Sequence, residues 1–164
     1  MKKRVLTVGC FTVLITLICC SPFSVSWDSI YKDQQDFFRA NKNVFEHSAN
    51  VILNTKLTDT TVAIKGNSLH LPDSLLNGLK AVGIKKVEII SRYNEPNCSA
   101  KELRFIPDSL WNYEKFSVFH IQYNPCDSLS KNGYHWMAEG SDHKHSFGMG
   151  GGWLIYSDTD RDPF

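Results

Sequence analysis

From Asp28 to about Thr55 the apolar residues recur at near-helical spacing: Ile30, Tyr31, Phe37, Phe38, Val44, Phe45, Ile52 and Leu53. Lys32, Asp33, Asp36, Arg39 and Lys42 fall mostly between them, and neither Gly nor Pro interrupts the stretch. The pattern predicts one long amphipathic helix whose apolar stripe faces a core. Thr60–Lys65 then reads as a short strand. Gly66-Asn67 is a two-residue turn signal, with Ser68–Leu71 as the returning partner. Pro72-Asp73-Ser74 opens a second, short helix that Asp73 or Ser74 can cap and Gly83 can end. Leu75, Leu76, Leu79 and Val82 form its buried side.

Beyond Ile84 the period changes to two. Val87–Ile90, Leu103–Ile106, Ser117–Tyr123, Tyr134–Ala138 and Trp153–Tyr156 all read as strands. In Ser117–Tyr123 the alternation puts Phe119, Ile121 and Tyr123 on one face and Val118, His120 and Gln122 on the other. Turn-rich segments such as Asn94-Glu95-Pro96-Asn97 and Asn124-Pro125-Cys126-Asp127 separate the strands. Helices followed by a run of strands imply an α+β fold. The long N-terminal amphipathic helix and the short second helix pack on one face of an antiparallel β-meander.

The start of the chain has a different pattern. Met1-Lys2-Lys3-Arg4 is basic, Val5–Cys20 is a nearly unbroken apolar run, and Ser21-Pro22 stops it. This is the layout of a secretory signal. It predicts a leader over residues 1–26 and a single domain over 27–164. The run is shorter than the roughly 20 residues that span a bilayer comfortably. The residues allow three outcomes. Leu17-Ile18-Cys19-Cys20 resembles the lipobox of bacterial lipoproteins, with Cys20 as the lipidated residue; Cys19 departs from the usual Gly, Ala or Ser. Ser24-Val25-Ser26 suits ordinary signal cleavage before Trp27. A retained helix extended through Val25 is the third. All three place the domain outside the cytoplasm. It is either anchored to the cytoplasmic or outer membrane, facing the periplasm or cell surface, or secreted.

Export changes the reading of the cysteines. Cys10, Cys19 and Cys20 belong to the leader, which leaves Cys98 and Cys126. An even pair in an oxidising compartment predicts a disulfide, worth about 3–4 kcal/mol by chain entropy. A hairpin turning at Trp111-Asn112 sets Phe105 opposite Phe119 and Leu103 opposite Ile121. Carried outward, that register sets Cys98 opposite Cys126. Export also changes the charge. Without Lys2, Lys3 and Arg4, Lys+Arg falls from 18 to 15 against 17 Asp+Glu. No basic stripe remains to track phosphates, so nucleic acid is not an expected partner.

The candidate chemistry is a histidine set. His143-Lys144-His145 follows Asp142 in a glycine-flanked segment that reads as a loop, with His135 and Glu139 upstream. Histidines two apart on an extended segment point the same way. With His135 and a carboxylate, His143 and His145 would ligate a metal such as zinc. The plainer reading is an exposed polar loop, with His120 and His135 on a half-solvated sheet face. Asp158–Asp162 alternates carboxylates without the glycine or distant acid of a calcium loop, and reads as a solvated tail. Gly148–Gly152 precedes a strand rather than a helix and reads as a hairpin loop. No Gly-x-Ser-x-Gly or His-Glu-x-x-His occurs. Ser-x-x-Lys occurs without its companion motifs.

The lipobox-like leader, the Gly83–Ile89 helix-to-strand passage and the Trp153–Asp160 segment are similar to small exported proteins of Bacteroidota with no assigned activity. The resemblance implies export and carries over no functional residue. The expected function is a tethered or secreted binding or interaction domain for a protein or small ligand, without catalysis or a bound cofactor. A zinc-dependent hydrolase built on the histidines and a structural component of the cell envelope are the alternatives.

Overall fold

The computed structural model describes residues 27–65, 71–91, 101–108, 117–126, 133–139 and 142–160. For 27–30, 117–118, 135–139, 142–144 and 158–160 it describes the backbone alone. The leader with Cys20, Cys98, and the expected turns at 66–67, 94–97 and 111–112 lie outside the described residues. The chain divides into two units, Met1–Asp33 and Gln34–Phe164. In the first, the described residues are helical. The second carries the sheet and the core.

Helix α1 spans Trp27–Leu53 and α2 spans Asp73–Ala81. The strands are β1 (Thr60–Ala63), β2 (Ile84–Ser91), β3 (Lys101–Pro107), β4 (Ser117–Tyr123), β5 (Gly133–Glu139), β6 (Asp142–Gly150) and β7 (Trp153–Asp160). They form one seven-stranded sheet in the order β1-β2-β3-β4-β7-β6-β5. Every neighbouring pair is antiparallel. Two runs of sequential strands, β1 to β4 and β5 to β7, therefore meet at the β4–β7 pair, with α2 inserted between β1 and β2. The expected α+β class, two helices against an antiparallel sheet, is the fold observed.

The core lies on one face of the sheet. From α1 it takes Phe38, Phe45, Ala49 and Ile52, and from α2 it takes Leu75, Leu76 and Leu79. These meet Val62, Val87, Ile89, Leu103, Phe105, Phe119, Ile121, Trp153 and Ile155. Aromatic packing fixes α1 on the strands. Phe45 meets Phe105 edge-on at 5.4 Å, and Phe38 lies 5.3 Å from Trp153. The register supports one continuous layer: Val87 opposes Phe105, Phe105 opposes Ile121, and Ile121 opposes Ile155. Burying each of these large side chains contributes about 1.5–3 kcal/mol.

Several local expectations are corrected. β1 pairs with β2; of its expected returning partner, Ser68, Leu69 and His70 lie outside the described residues, and Leu71 is not in a strand. The N-cap of α2 is Pro72, with no side-chain cap bond. Residues 142–150, expected as loop, form β6. Asp158–Asp160, expected as tail, continue β7. The β6–β7 turn does fall in the glycine run, where Gly150, Gly151 and Gly152 all take positive φ (79°, 61° and 88°). A Cβ on Gly152 would sit 2.9 Å from Pro125 Cα, so only glycine lets the turn close there.

The β3–β4 register also differs. Phe105 opposes Ile121 and Leu103 opposes Tyr123, two residues away from the expected pairing. The argument that set Cys98 opposite Cys126 therefore fails, and no disulfide bond is found between described residues. Cys126 itself is oxidised rather than a free thiol, and Cys98 lies outside the described residues.

Candidate functional site

The apolar layer outruns its helical cover at the β5–β6 edge. Along one cross-strand row, Ile155 is buried, Phe147 is partly buried and Tyr134 is 50% exposed. Among the described residues Tyr134 is the one exposed large hydrophobic side chain. It is held in place: its ring lies 4.9 Å from Phe147 and stacks on His145 at 5.9 Å. Tyr134 Oη and His145 Nδ1 share a hydrogen bond of 2.6 Å. Two contacts and a polar tether fix an exposed aromatic face at little further entropic cost.

Between this hairpin and α1 runs a groove of about 440 Å³. Tyr134, Phe147 and Met149 supply its sheet wall, while Phe38, Arg39 and Lys42 come from α1. Helical spacing explains the second set, since positions 38, 39 and 42 share one side of α1. Arg39 donates to Asp36 Oδ1 at 3.0 Å and to Gln35 Oε1 at 3.1 Å. Lys42 lies 3.4 Å from Glu46. These pairs are exposed and contribute little, well under about 1 kcal/mol each, so either cation can turn to a ligand. The groove thus offers aromatic faces on one side and cationic donors on the other. That combination suits a small molecule with a flat apolar or ring face and an anionic or hydrogen-bonding edge.

The sheet face opposite the core carries a second constellation. Glu88 opposes Arg104, Arg104 opposes Gln122, and His120 opposes Tyr156. Glu102 is fully buried (0% exposed) and accepts from Arg104 Nε at 2.6 Å. His120 is 6% exposed and stacks on Tyr156 at 4.7 Å. Its Nε2–H donates to Gln122 Oε1 at 3.2 Å, which assigns the ring proton to Nε2. Burial lowers the His120 pKa to about 4; the Gln122 bond opposes this, the Arg104 charge adds to it, and Glu102 and Glu88 oppose it. The ring is therefore neutral near pH 7. A base this weak is poorly matched to proton abstraction there and well matched to fixed hydrogen bonding.

The expected metal ligands fall on two parities. His143 opposes Ala138, and His145 opposes Trp136, in rows that share the core face of the sheet. His135 opposes Ser146 in the intervening row, which continues through Tyr156 to His120 on the other face. Strand alternation thus places the His135 position away from the His143 and His145 positions. His145 also commits Nδ1 to Tyr134. Among the described residues no group of three His, Cys, Asp or Glu is placed to hold a metal ion. His120 and His135 do share a face, but β7 and β6 lie between their strands, and His120 is buried rather than half-solvated.

The sequence marks Tyr134 as a strand residue without marking it as exposed. Its isolation at the sheet edge depends on β6, which the glycine-flanked histidine pattern does not announce as a strand. No protein-family model, curated protein or solved structure matches this chain.

Proposed function

We propose that the protein is an exported binding domain, held at a membrane through a lipid on Cys20. It receives a small ligand in the groove between α1 and the β5–β6 hairpin. The reading rests on Tyr134: a half-exposed aromatic ring, locked by Phe147 and His145, facing a 440 Å³ groove edged by Arg39 and Lys42. Exposed aromatics cost solubility, and a rigid one beside cations is what ligand recognition needs. Export is supported by the basic start and the apolar run Val5–Cys20. The proposed attachment is through the leader, by the lipid on Cys20; among the described residues no helix is long and apolar enough to cross a membrane.

The ligand has a ring face that stacks on Tyr134 and an acidic group that meets Arg39 or Lys42; uronic-acid sugars and aromatic carboxylates have this chemistry. Thermal melts of the full chain, purified from membranes, against a panel of both classes test the reading. Binding raises the melting temperature of the wild type, and Tyr134→Ala abolishes the rise. A rise that persists unchanged in Tyr134→Ala would place the ligand elsewhere. For the anchor, mass spectrometry of the mature N-terminus should find a lipidated Cys20; an unmodified chain beginning at Trp27 contradicts it.

A further inference from the structure

At the other edge of the sheet, where β1 ends and β2 begins, lies a hollow of about 560 Å³. Lys65, Lys80, Lys85 and Lys86 line it, and Asp108 is the one acidic residue among its described lining. Ala63, Ile64 and Ile84 supply an apolar base. Lys86 is paired with Glu88, and the three further lysines against one carboxylate are an unfavourable gathering of like charge unless something anionic offsets it.

The backbone is arranged to make that gathering. In a regular strand, consecutive residues point to opposite faces, so Lys85 and Lys86 would part. Here the β2–β3 register shifts between Ile84 and Lys86, leaving Lys85 as the extra residue of a bulge. A bulge re-aims the side chains beside it, and both lysines line the same hollow. The bulge is pinned on both sides. Ile64 N–H donates to the Lys85 carbonyl at 2.8 Å, and Asp108 N–H donates to the Gly83 carbonyl at 2.8 Å. Gly83, at φ 76°, turns the chain sharply out of α2 and so brings Lys80, in the last turn of that helix, beside the bulge. Lys65 lies just beyond the end of β1. Lys86 Nζ is 2.7 Å from Glu88 Oε1, while Lys65, Lys80 and Lys85 are exposed.

We infer that this hollow is a binding site for a small, multiply charged anion bearing phosphate groups. Ammonium groups act as point charges with several donors each and suit phosphate oxygens. A single carboxylate would offset one lysine, whereas a phosphate chain offsets three. The volume is that of an ordinary ligand site. The site is at the opposite edge of the sheet from the aromatic groove and does not depend on it.

The test is titration calorimetry on the full chain purified from membranes, with two probes. Sodium triphosphate represents a free phosphate chain, and glycerol 1-phosphate represents a lipid headgroup. At least one probe binds saturably, and the stronger of the two identifies the source of the phosphate. Lys80→Gln/Lys85→Gln, both at exposed positions, weakens that binding tenfold or more without lowering the melting temperature. Lys32→Gln, a charge removed from α1, leaves it unchanged. No binding of either probe overturns the proposal. Equal binding by wild type and the double variant overturns it too, as does an equal loss in Lys32→Gln.

Discussion

The two faces of this sheet are both buried around its centre, and they are stabilised by different physics. Under the helices, the row Val87, Phe105, Ile121 and Ile155 is apolar throughout. Its stability is area removed from water, non-directional and indifferent to pH. One residue along, the row Glu88, Arg104 and Gln122 turns the same strands' other side into a set of hydrogen bonds and charges. With Glu102 and His120 it gains only if each partner stays in place. The first face tolerates exchange of one hydrophobe for another. The second is specific, and it answers to pH.

The largest effect that sharpens this contrast comes from the apolar face. Phe45 is fully buried and packs on Phe38, Phe105 and Trp153. Phe45→Ala should cost about 3–5 kcal/mol in denaturant unfolding, with no change in the shape of the pH–stability curve. Phe45→Leu should restore much of the loss, as expected where only volume and apolarity matter.

On the polar face, Arg104→Met removes the guanidinium from a carboxylate that has no exposure, and should cost about 2–3 kcal/mol near pH 7. Adding Glu102→Leu should recover part of that, because the buried carboxylate that Arg104 meets is removed with it. If the double variant is no better than the single, the ion pair is not what Arg104 contributes.

The third effect is the pH dependence of His120. Its folded pKa, about 4, lies below its ordinary value of 6.5. Between these values the unfolded chain binds the proton more readily, so stability rises with pH. The His120 contribution is complete above about pH 6.5 and is lost as pH falls towards 4. About 2 kcal/mol should be gone by pH 5. His120→Phe should flatten the curve in that window. A wild-type curve already flat from pH 6.5 to 4.5 contradicts the buried neutral ring.

Much of the fold is legible in the sequence, and the misses have physical reasons. Helical periodicity locates α1, because Phe38, Phe45 and Ile52 recur on one stripe. Period two in Ser117–Tyr123 separates the two faces of β4 correctly. The β3–β4 pairing is displaced by two residues from the expected one, yet the faces survive, since a shift of two preserves the alternation and a shift of one would reverse it. What fails is the inference built on particular partners, the Cys98–Cys126 opposition. β6 escapes a sequence reading because His143-Lys144-His145 and Gly148-Met149-Gly150 offer no apolar alternation; pairing on both edges makes it a strand. Without β6 the groove it helps to form is hidden too. Burial of His120 and Gln122 is equally invisible, because histidine and glutamine on a strand read as a wet face.

The same contrast bears on function. Tyr134 stands half-exposed at the edge of the apolar face, so Tyr134→Ala, which loses the Phe147 contact and the His145 hydrogen bond, should lower unfolding stability by only about 1 kcal/mol, well below the Phe45→Ala effect. The measurement that tests the groove most directly is an amide NMR titration of the full chain with the best ligand from the acidic-sugar and aromatic-carboxylate panel. Shifts should concentrate at 39–42, 133–134 and 147–149, and should disappear in Tyr134→Ala. Shifts concentrated on other strands, or unchanged in that variant, would contradict a ligand site built on Tyr134.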